Sequence, residues 1–107
     1  MTGLQDRERA EEAWFAHDED LKFRILARRN RLLAQWVAER LGLSSTEIDS
    51  YARQILETDF EEAGDEDVVR KLIGDMIMAG VAVQEAEVRA ALTATEEEAR
   101  RQLQGEA

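Results

Sequence analysis

The sequence contains no cysteine, no proline and a single histidine. Without cysteine the chain can form no disulfide, no thiolate zinc site and no cysteine nucleophile, and one histidine excludes a metal site built on two. No apolar run approaches the roughly 20 residues that a membrane span needs, and the charged N-terminus lacks the apolar stretch of a secretory signal. We therefore expect a soluble cytoplasmic protein that binds no metal and does not insert into a membrane.

Basic residues are also scarce. The 107 residues include 24 acids and 14 bases, so the net charge is −10. Nucleic acids and anionic lipid surfaces both attract basic faces, and we expect neither as a partner. Carboxylates are abundant, but they occur in runs on polar faces rather than as a desolvated pair across a cleft. The sequence therefore predicts no catalytic residue and no enzyme.

Glutamate, alanine, leucine and arginine dominate the chain, and all four favour helices. Apolar residues recur at helical spacing in four stretches, at about 21–41, 44–60, 64–80 and 84–104. We predict an all-α fold, an antiparallel four-helix bundle over residues 20–107, with a weak point in the last helix at Thr93-Ala94-Thr95. The predicted buried stripe of the third helix is Val69, Leu72, Ile73, Met76 and Ile77.

Local signals mark where these helices begin and end. Gly42 and Gly80 are placed to end the first and third helices, where a left-handed residue is often needed. Ser44 and Glu47 have the spacing of a capping box, which predicts the start of the second helix.

Residues 1–19 stand apart from the predicted bundle. Between residues 2 and 9 only Leu4 is an apolar anchor, and an isolated helix of this length is marginally stable in water. A helical stripe nevertheless continues into the first core helix. Its members are Ala10, Ala13, Trp14, His17 and Leu21. We expect a helix-competent N-terminal arm that is mobile in the free protein and becomes ordered on a partner.

The arm carries two adjacent aromatic residues, Trp14 and Phe15. Neighbouring residues on a helix cannot both face one bundle, so one of them is available to anchor a partner. The alternative is that both fasten the arm to the bundle. His17 lies next to acids and could titrate near neutral pH as a sensor, or could serve as a capping or packing residue.

Charge is segregated along the chain. Residues 21–41 carry six bases and one acid, whereas residues 42–67 carry nine acids and one base. The cluster Arg28-Arg29-Asn30-Arg31 has two interpretations: a weak ATP or ADP site that also uses Lys71, or ion pairs with acids of neighbouring helices. Those acids are Asp59, Glu61, Glu62, Asp65, Glu66 and Asp67. No glycine-rich phosphate loop accompanies the cluster, and no other cofactor is implied.

Three stretches of the chain carry a resemblance to a known family. They are Asp6-Arg7-Glu8-Arg9-Ala10 with Phe15-Ala16-His17-Asp18; Ala27 to Leu33 with Trp36 and Ala38 to Gly42; and Asp59 to Glu62 with Gly64 to Val68, Arg70 and Lys71. In that order and spacing they are similar to the zeta subunit family, small inhibitors of certain bacterial F-type ATP synthases. The likeness covers about residues 4–103.

The resemblance implies a mechanism. In the zeta family an N-terminal arm enters the catalytic head of the synthase, at an α/β interface beside the central rotor subunit, and blocks rotation in the direction of ATP hydrolysis. Residues 1–19 would be the inhibitory arm of a protein that is monomeric when free and lies at the inner face of the membrane when bound. One departure is Trp14, since a lysine commonly precedes Phe-Ala-His in the family.

The expected partner contacts combine the matching motifs with the apolar and charged positions of the arm. They are Leu4, Asp6, Arg7, Glu8, Arg9, Ala10, Ala13, Trp14, Phe15 and His17. Two other functions stay open at this point. One is a nucleotide-sensing bundle that uses Arg28, Arg29, Arg31 and Lys71, and the other is an acidic module that binds a basic protein surface.

Overall fold

The computed structural model describes the backbone of residues 3–61 and 64–106, and the side chains of residues 19–59 and 64–105. Four helices account for most of this part of the chain: α1 (Gly3–Leu41), α2 (Ser45–Glu61), α3 (Glu66–Met78) and α4 (Glu85–Glu106). No strand occurs among the described residues, so the all-α prediction is confirmed. Short connections make successive helices antiparallel, and α4 continues without a break through the predicted weak point.

The first helix is longer than the sequence predicts. It has 39 residues, or about 58 Å at 1.5 Å per residue, and it crosses the predicted boundary between residues 19 and 20 without a break. The apolar stripe widens only near Leu21, which is why the pattern places the start of the core helix there. The backbone of the arm is helical, while its mobility in the free protein and its separate role stay predictions.

Two clusters of buried apolar side chains hold the helices together. The larger one takes residues from every helix: Leu33, Ala34, Val37, Tyr51, Ile55, Val68, Val69, Leu72, Met76, Val88, Ala91 and Leu92. The smaller one, Ile25, Ala99 and Leu103, joins α1 to α4 alone. Because α1 contributes to both clusters and contacts the other three helices, its segment 25–37 is the packed centre of the bundle.

The predicted buried stripe of α3 is wrong at one position. Ile77 is 64% exposed, whereas Leu72 and Met76 are fully buried. Ile77 lies one turn beyond Ile73, which is itself only partly buried at the flank of the stripe. α3 ends at the next residue, so no neighbouring helix covers this last flank position.

Both predicted glycine ends are present. Gly42 and Gly80 have φ of +71° and +76°, the left-handed conformation that glycine adopts without steric cost. At the end of α3 the Val81 N–H donates to the Met76 carbonyl at 2.9 Å, and the Gly80 N–H donates to the Ile77 carbonyl at 3.0 Å. These two bonds are the Schellman motif, which satisfies carbonyls that the helix leaves without a partner.

The predicted capping box is present at the start of α2. The Glu47 N–H donates to Ser44 Oγ at 3.2 Å, and the Ser44 N–H donates to Glu47 Oε1 at 3.1 Å. The pKa of the Glu47 carboxyl lies below its ordinary value, because the carboxylate accepts a bond from the Ser44 backbone, the larger cause, and a bond from the Ser44 side chain. A lowered pKa in the folded state means that the box stabilises the fold above about pH 4 and loses this effect as the pH falls further.

The substitution Ser44→Ala tests the capping box. We expect the melting temperature at pH 7 to fall by about 4–8 °C, because an N-cap hydroxyl is lost, and the pKa of Glu47 to rise. The difference between the two proteins should shrink as Glu47 becomes protonated below about pH 4. Thermal unfolding followed by circular dichroism between pH 3 and pH 7 measures it. A difference that is unchanged over this range would contradict a role for the Glu47 carboxylate.

Candidate functional site

The predicted partner contacts all lie in the first half of α1. The backbone of residues 3–18 is helical, so positions 10, 13, 14 and 17 share one face of the helix, while position 15 lies about 100° around the helix axis from position 14. The side chains of the ten predicted contacts lie outside the described part of the chain. They are Leu4, Asp6, Arg7, Glu8, Arg9, Ala10, Ala13, Trp14, Phe15 and His17. Their role in binding stays a prediction.

Arg29 belongs to a buried network of charged and polar groups. Its side chain is only 3% exposed and donates to Asp59 Oδ2 at 2.9 Å and to Asp65 Oδ1 at 3.0 Å. Arg29 Nε also donates to Asn30 Oδ1 at 3.1 Å, and Asn30 Nδ2 donates to Asp59 Oδ2 at 2.9 Å. Glu96 Oε1 lies 3.9 Å from the guanidinium group. For Arg29 the geometry therefore favours ion pairing over the binding of a phosphate.

This network has a defined place in the fold. It connects α1 to α2 through Asp59, to the residue before α3 through Asp65, and to α4 through Glu96. Arg29 and Asn30 lie on α1 between Ile25 of the smaller apolar cluster and Leu33 of the larger one. Every buried side-chain nitrogen or oxygen in the described part of the chain has a hydrogen-bond partner, so the network is satisfied and positions four segments of the chain relative to one another.

Arg28 and Arg31 lie on the outer side of α1. Arg28 Nη1 donates to Gln102 Oε1 on α4 at 2.9 Å, and Arg31 Nη2 lies 3.3 Å from Asp49 Oδ1 on α2. The Arg31–Asp49 pair is exposed, so solvent screens it. Both arginines line a groove between α1 and α4 whose other members are Phe23, Arg24, Ala27 and Leu103.

Lys71 occupies a different environment on α3. Its ammonium group donates to Gln54 Oε1 at 3.0 Å and to Asp75 Oδ2 at 3.1 Å, and lies 5.0 Å from the centre of the Tyr51 ring. Tyr51 donates its hydroxyl to the same Asp75 oxygen at 2.6 Å. Burial, together with this bond, raises the pKa of the Tyr51 hydroxyl above its ordinary value. The four residues predicted for nucleotide binding are thus divided among three places, and only Arg28 and Arg31 share a groove.

Two features of the surface are not evident from the sequence patterns. Phe23 is 48% exposed. In the sequence, the one indication of this exposure is that Phe23 lies off the apolar stripe of α1. The hydrogen bond from Tyr51 to Asp75 joins α2 to α3. The sequence indicates only that a buried tyrosine needs some partner for its hydroxyl, and it does not indicate which residue that partner is.

The described part of the chain offers little for other chemistry. Its aspartate and glutamate side chains form no group of three that could hold a metal ion. None of the described helices combines the length and the apolar stretch that a bilayer span requires.

Comparison with known proteins identifies what the chain is similar to. The family model described as ATPase inhibitor subunit zeta matches residues 1–102, which include the arm and nearly all of the bundle. A solved structure titled "Solution NMR structure of the protein" is 45% identical, covers 81% of this chain and 99% of its own, and has a TM-score of 0.71. No curated protein matches the chain.

Proposed function

Because this chain belongs to the ATPase inhibitor subunit zeta family, we propose that it binds the catalytic head of an F-type ATP synthase and blocks rotation in the direction of ATP hydrolysis. The segment that enters the head is the arm, residues 1–19, at an α/β interface beside the central rotor subunit. The observation that carries the proposal is the family match over residues 1–102, because it includes the arm as well as the bundle. The protein acts in the cytoplasm, at the inner face of the membrane when bound.

The connection between the arm and the bundle suits an inhibitor of a rotating machine. α1 is a single helix from Gly3 to Leu41, and its segment 25–37 is packed into both apolar clusters. A force applied to the arm by the rotor would be carried along the hydrogen bonds of the helix into the core. No hinge residue interrupts the helix between the arm and the core, since neither glycine nor proline occurs between residues 4 and 41.

The chemistry of the arm indicates which residues contribute most to binding. Ordering a mobile segment costs conformational entropy, so affinity has to come from a few buried anchors. Large aromatic residues are the commonest anchors of this kind, and in the arm these are Trp14 and Phe15. The charged residues Arg7 and Arg9 can pair with acids of the partner, and Glu8 with a base.

Substitution of the two aromatic residues tests the arm mechanism. We expect Trp14→Ala combined with Phe15→Ala to raise the concentration for half-maximal inhibition by at least about tenfold, because each lost anchor of this type costs more than about 1 kcal/mol. ATP hydrolysis by the isolated catalytic head of the cognate synthase measures it. Circular dichroism of the variant shows whether the bundle is still folded.

The matched control removes an exposed apolar pair from the bundle. Ile77 and Met78 are 64% and 89% exposed at the end of α3, which is the end of the bundle farther from the arm. Ile77→Ala combined with Met78→Ala should leave the inhibition unchanged. Equal losses in the two double variants would contradict the arm mechanism, since apolar surface anywhere on the protein would then serve as well.

A further inference from the structure

A groove on the bundle lies close to the base of the arm. It runs between α1 and α4, and we call it the α1–α4 groove. It is lined by Phe23, Arg24, Ala27, Arg28, Arg31 and Leu103. Three of these six residues are arginines and none is an acid, although the whole chain has a net charge of −10. The groove therefore concentrates positive charge on a protein whose surface is otherwise mainly negative.

The groove also offers apolar contact area. Phe23 is 48% exposed, and it is one of four large apolar side chains that are exposed among the described residues; the others are Leu21, Ile77 and Met78. Ala27 and Leu103 extend the apolar part of the lining. Exposed aromatic and arginine side chains together are the composition that marks the centre of protein interfaces.

Arg24 makes the groove selective for negative charge. It is exposed, and it forms no ion pair or hydrogen bond with any side chain of the described part of the chain. Among the described side chains, Arg31 pairs with Asp49 alone, in an exposed ion pair on the side of α1 that faces α2. Arginine binds carboxylates through two parallel hydrogen bonds, so an acidic protein segment with an apolar residue matches both the charged and the apolar residues of the lining.

We propose that the α1–α4 groove is a second docking surface, which receives an acidic segment of the same partner that holds the arm. This inference rests on the proposed function. Phe23 lies four residues beyond the end of the arm on the same uninterrupted helix, or about 6 Å along the axis. A partner that encloses the arm therefore reaches the groove without any bend in α1.

The substitution Arg24→Glu in the full-length protein tests the charge of the groove. Binding to the isolated catalytic head of the cognate synthase should weaken about tenfold at low salt, because a carboxylate then faces the carboxylates of the partner. Most of this loss should disappear at about 1 M salt, where screening is nearly complete. Phe23→Ala should weaken binding about fivefold at every salt concentration, because it removes apolar contact.

Arg40→Glu is the matched control, since it makes the same change of charge on another exposed residue of α1. Arg40 lies 16 residues beyond Arg24, or about 24 Å along the helix axis, and it does not line the groove. Binding of this variant should stay within about twofold of that of the unmodified protein, because surface charge outside an interface contributes little. Circular dichroism spectra of all three variants should be the same as that of the unmodified protein.

The possible outcomes separate the two proposals. If the unmodified protein binds and inhibits but Arg24→Glu and Arg40→Glu bind equally well, the groove proposal is overturned and the proposed function stands. If the unmodified protein neither binds nor inhibits, both are overturned. If ATP titrated into the free protein shifts the NMR signals of the groove, and Arg24→Glu removes these shifts without weakening binding to the head, the groove is a phosphate site instead.

Discussion

Arg29→Leu is expected to lower the free energy of unfolding by about 3–5 kcal/mol, because it leaves buried carboxylate charge without its cation. Asp59 is only 6% exposed and receives two hydrogen bonds, one from Arg29 and one from Asn30. After the substitution only the neutral amide of Asn30 would remain for it, and Asp65 would lose its bond as well. Since small domains are stable by only about 5–15 kcal/mol, the substitution would remove a large share of the free energy that keeps the protein folded.

Arg31→Leu provides the matched control for this prediction. Arg31 is two residues away on the same helix and also pairs with an aspartate, but its side chain and that of Asp49 are 61% and 53% exposed. The substitution should lower the free energy of unfolding by only about 0–1 kcal/mol. Urea unfolding followed by circular dichroism measures both variants. Equal effects would show that the buried network around Arg29 does not contribute in the way that its geometry indicates.

Deletion of residues 1–19 should leave the bundle folded and lower its affinity for the catalytic head at least about a hundredfold. Every member of the two apolar clusters lies between Ile25 and Leu103, so the deletion removes no described core residue. By contrast, it removes all ten predicted contacts with the partner. A hundredfold loss corresponds to about 2.7 kcal/mol, which is what two or three interface anchors contribute.

Two measurements check the deletion. Thermal unfolding of the shortened chain should give a melting temperature within about 5 °C of that of the full chain, since surface segments contribute little to stability. Binding to the isolated catalytic head gives the change in affinity. If the shortened chain is folded and still binds with full affinity, the bundle and not the arm is responsible for binding.

The ends of the helices follow from the sequence because their chemistry is local. Gly42 and Gly80 supply left-handed residues, and Ser44 and Glu47 cap each other three residues apart. The spacing of apolar residues likewise predicts the four helices and nearly all of their buried faces. Leu21 and Ile77 lie on predicted apolar stripes but are exposed, because exposure depends on which part of a neighbouring helix lies opposite and not on spacing alone.

The sequence predicts which kinds of residue meet between helices, but it does not predict which individual residues form each contact. The segregation of charge indicates that the Arg28–Arg31 cluster meets acids, but it does not show that Arg29 faces inward to Asp59 while Arg31 faces outward to Asp49. The α1–α4 groove depends on the side of α4 that packs against α1, so Phe23 and Leu103 are brought together only by tertiary structure. The free protein has no structural boundary at the end of the arm, because α1 passes through residues 19 and 20 without a break. Only the contacts with the partner would define where the arm ends.

The rate of ATP hydrolysis by the isolated catalytic head of the cognate synthase, measured with increasing amounts of the full-length protein, tests the proposed inhibition most directly. The account predicts that the rate falls to a plateau as the protein binds, and that the chain without residues 1–19 has no such effect at the same concentrations. An unchanged rate with the full-length protein bound to the head would contradict it.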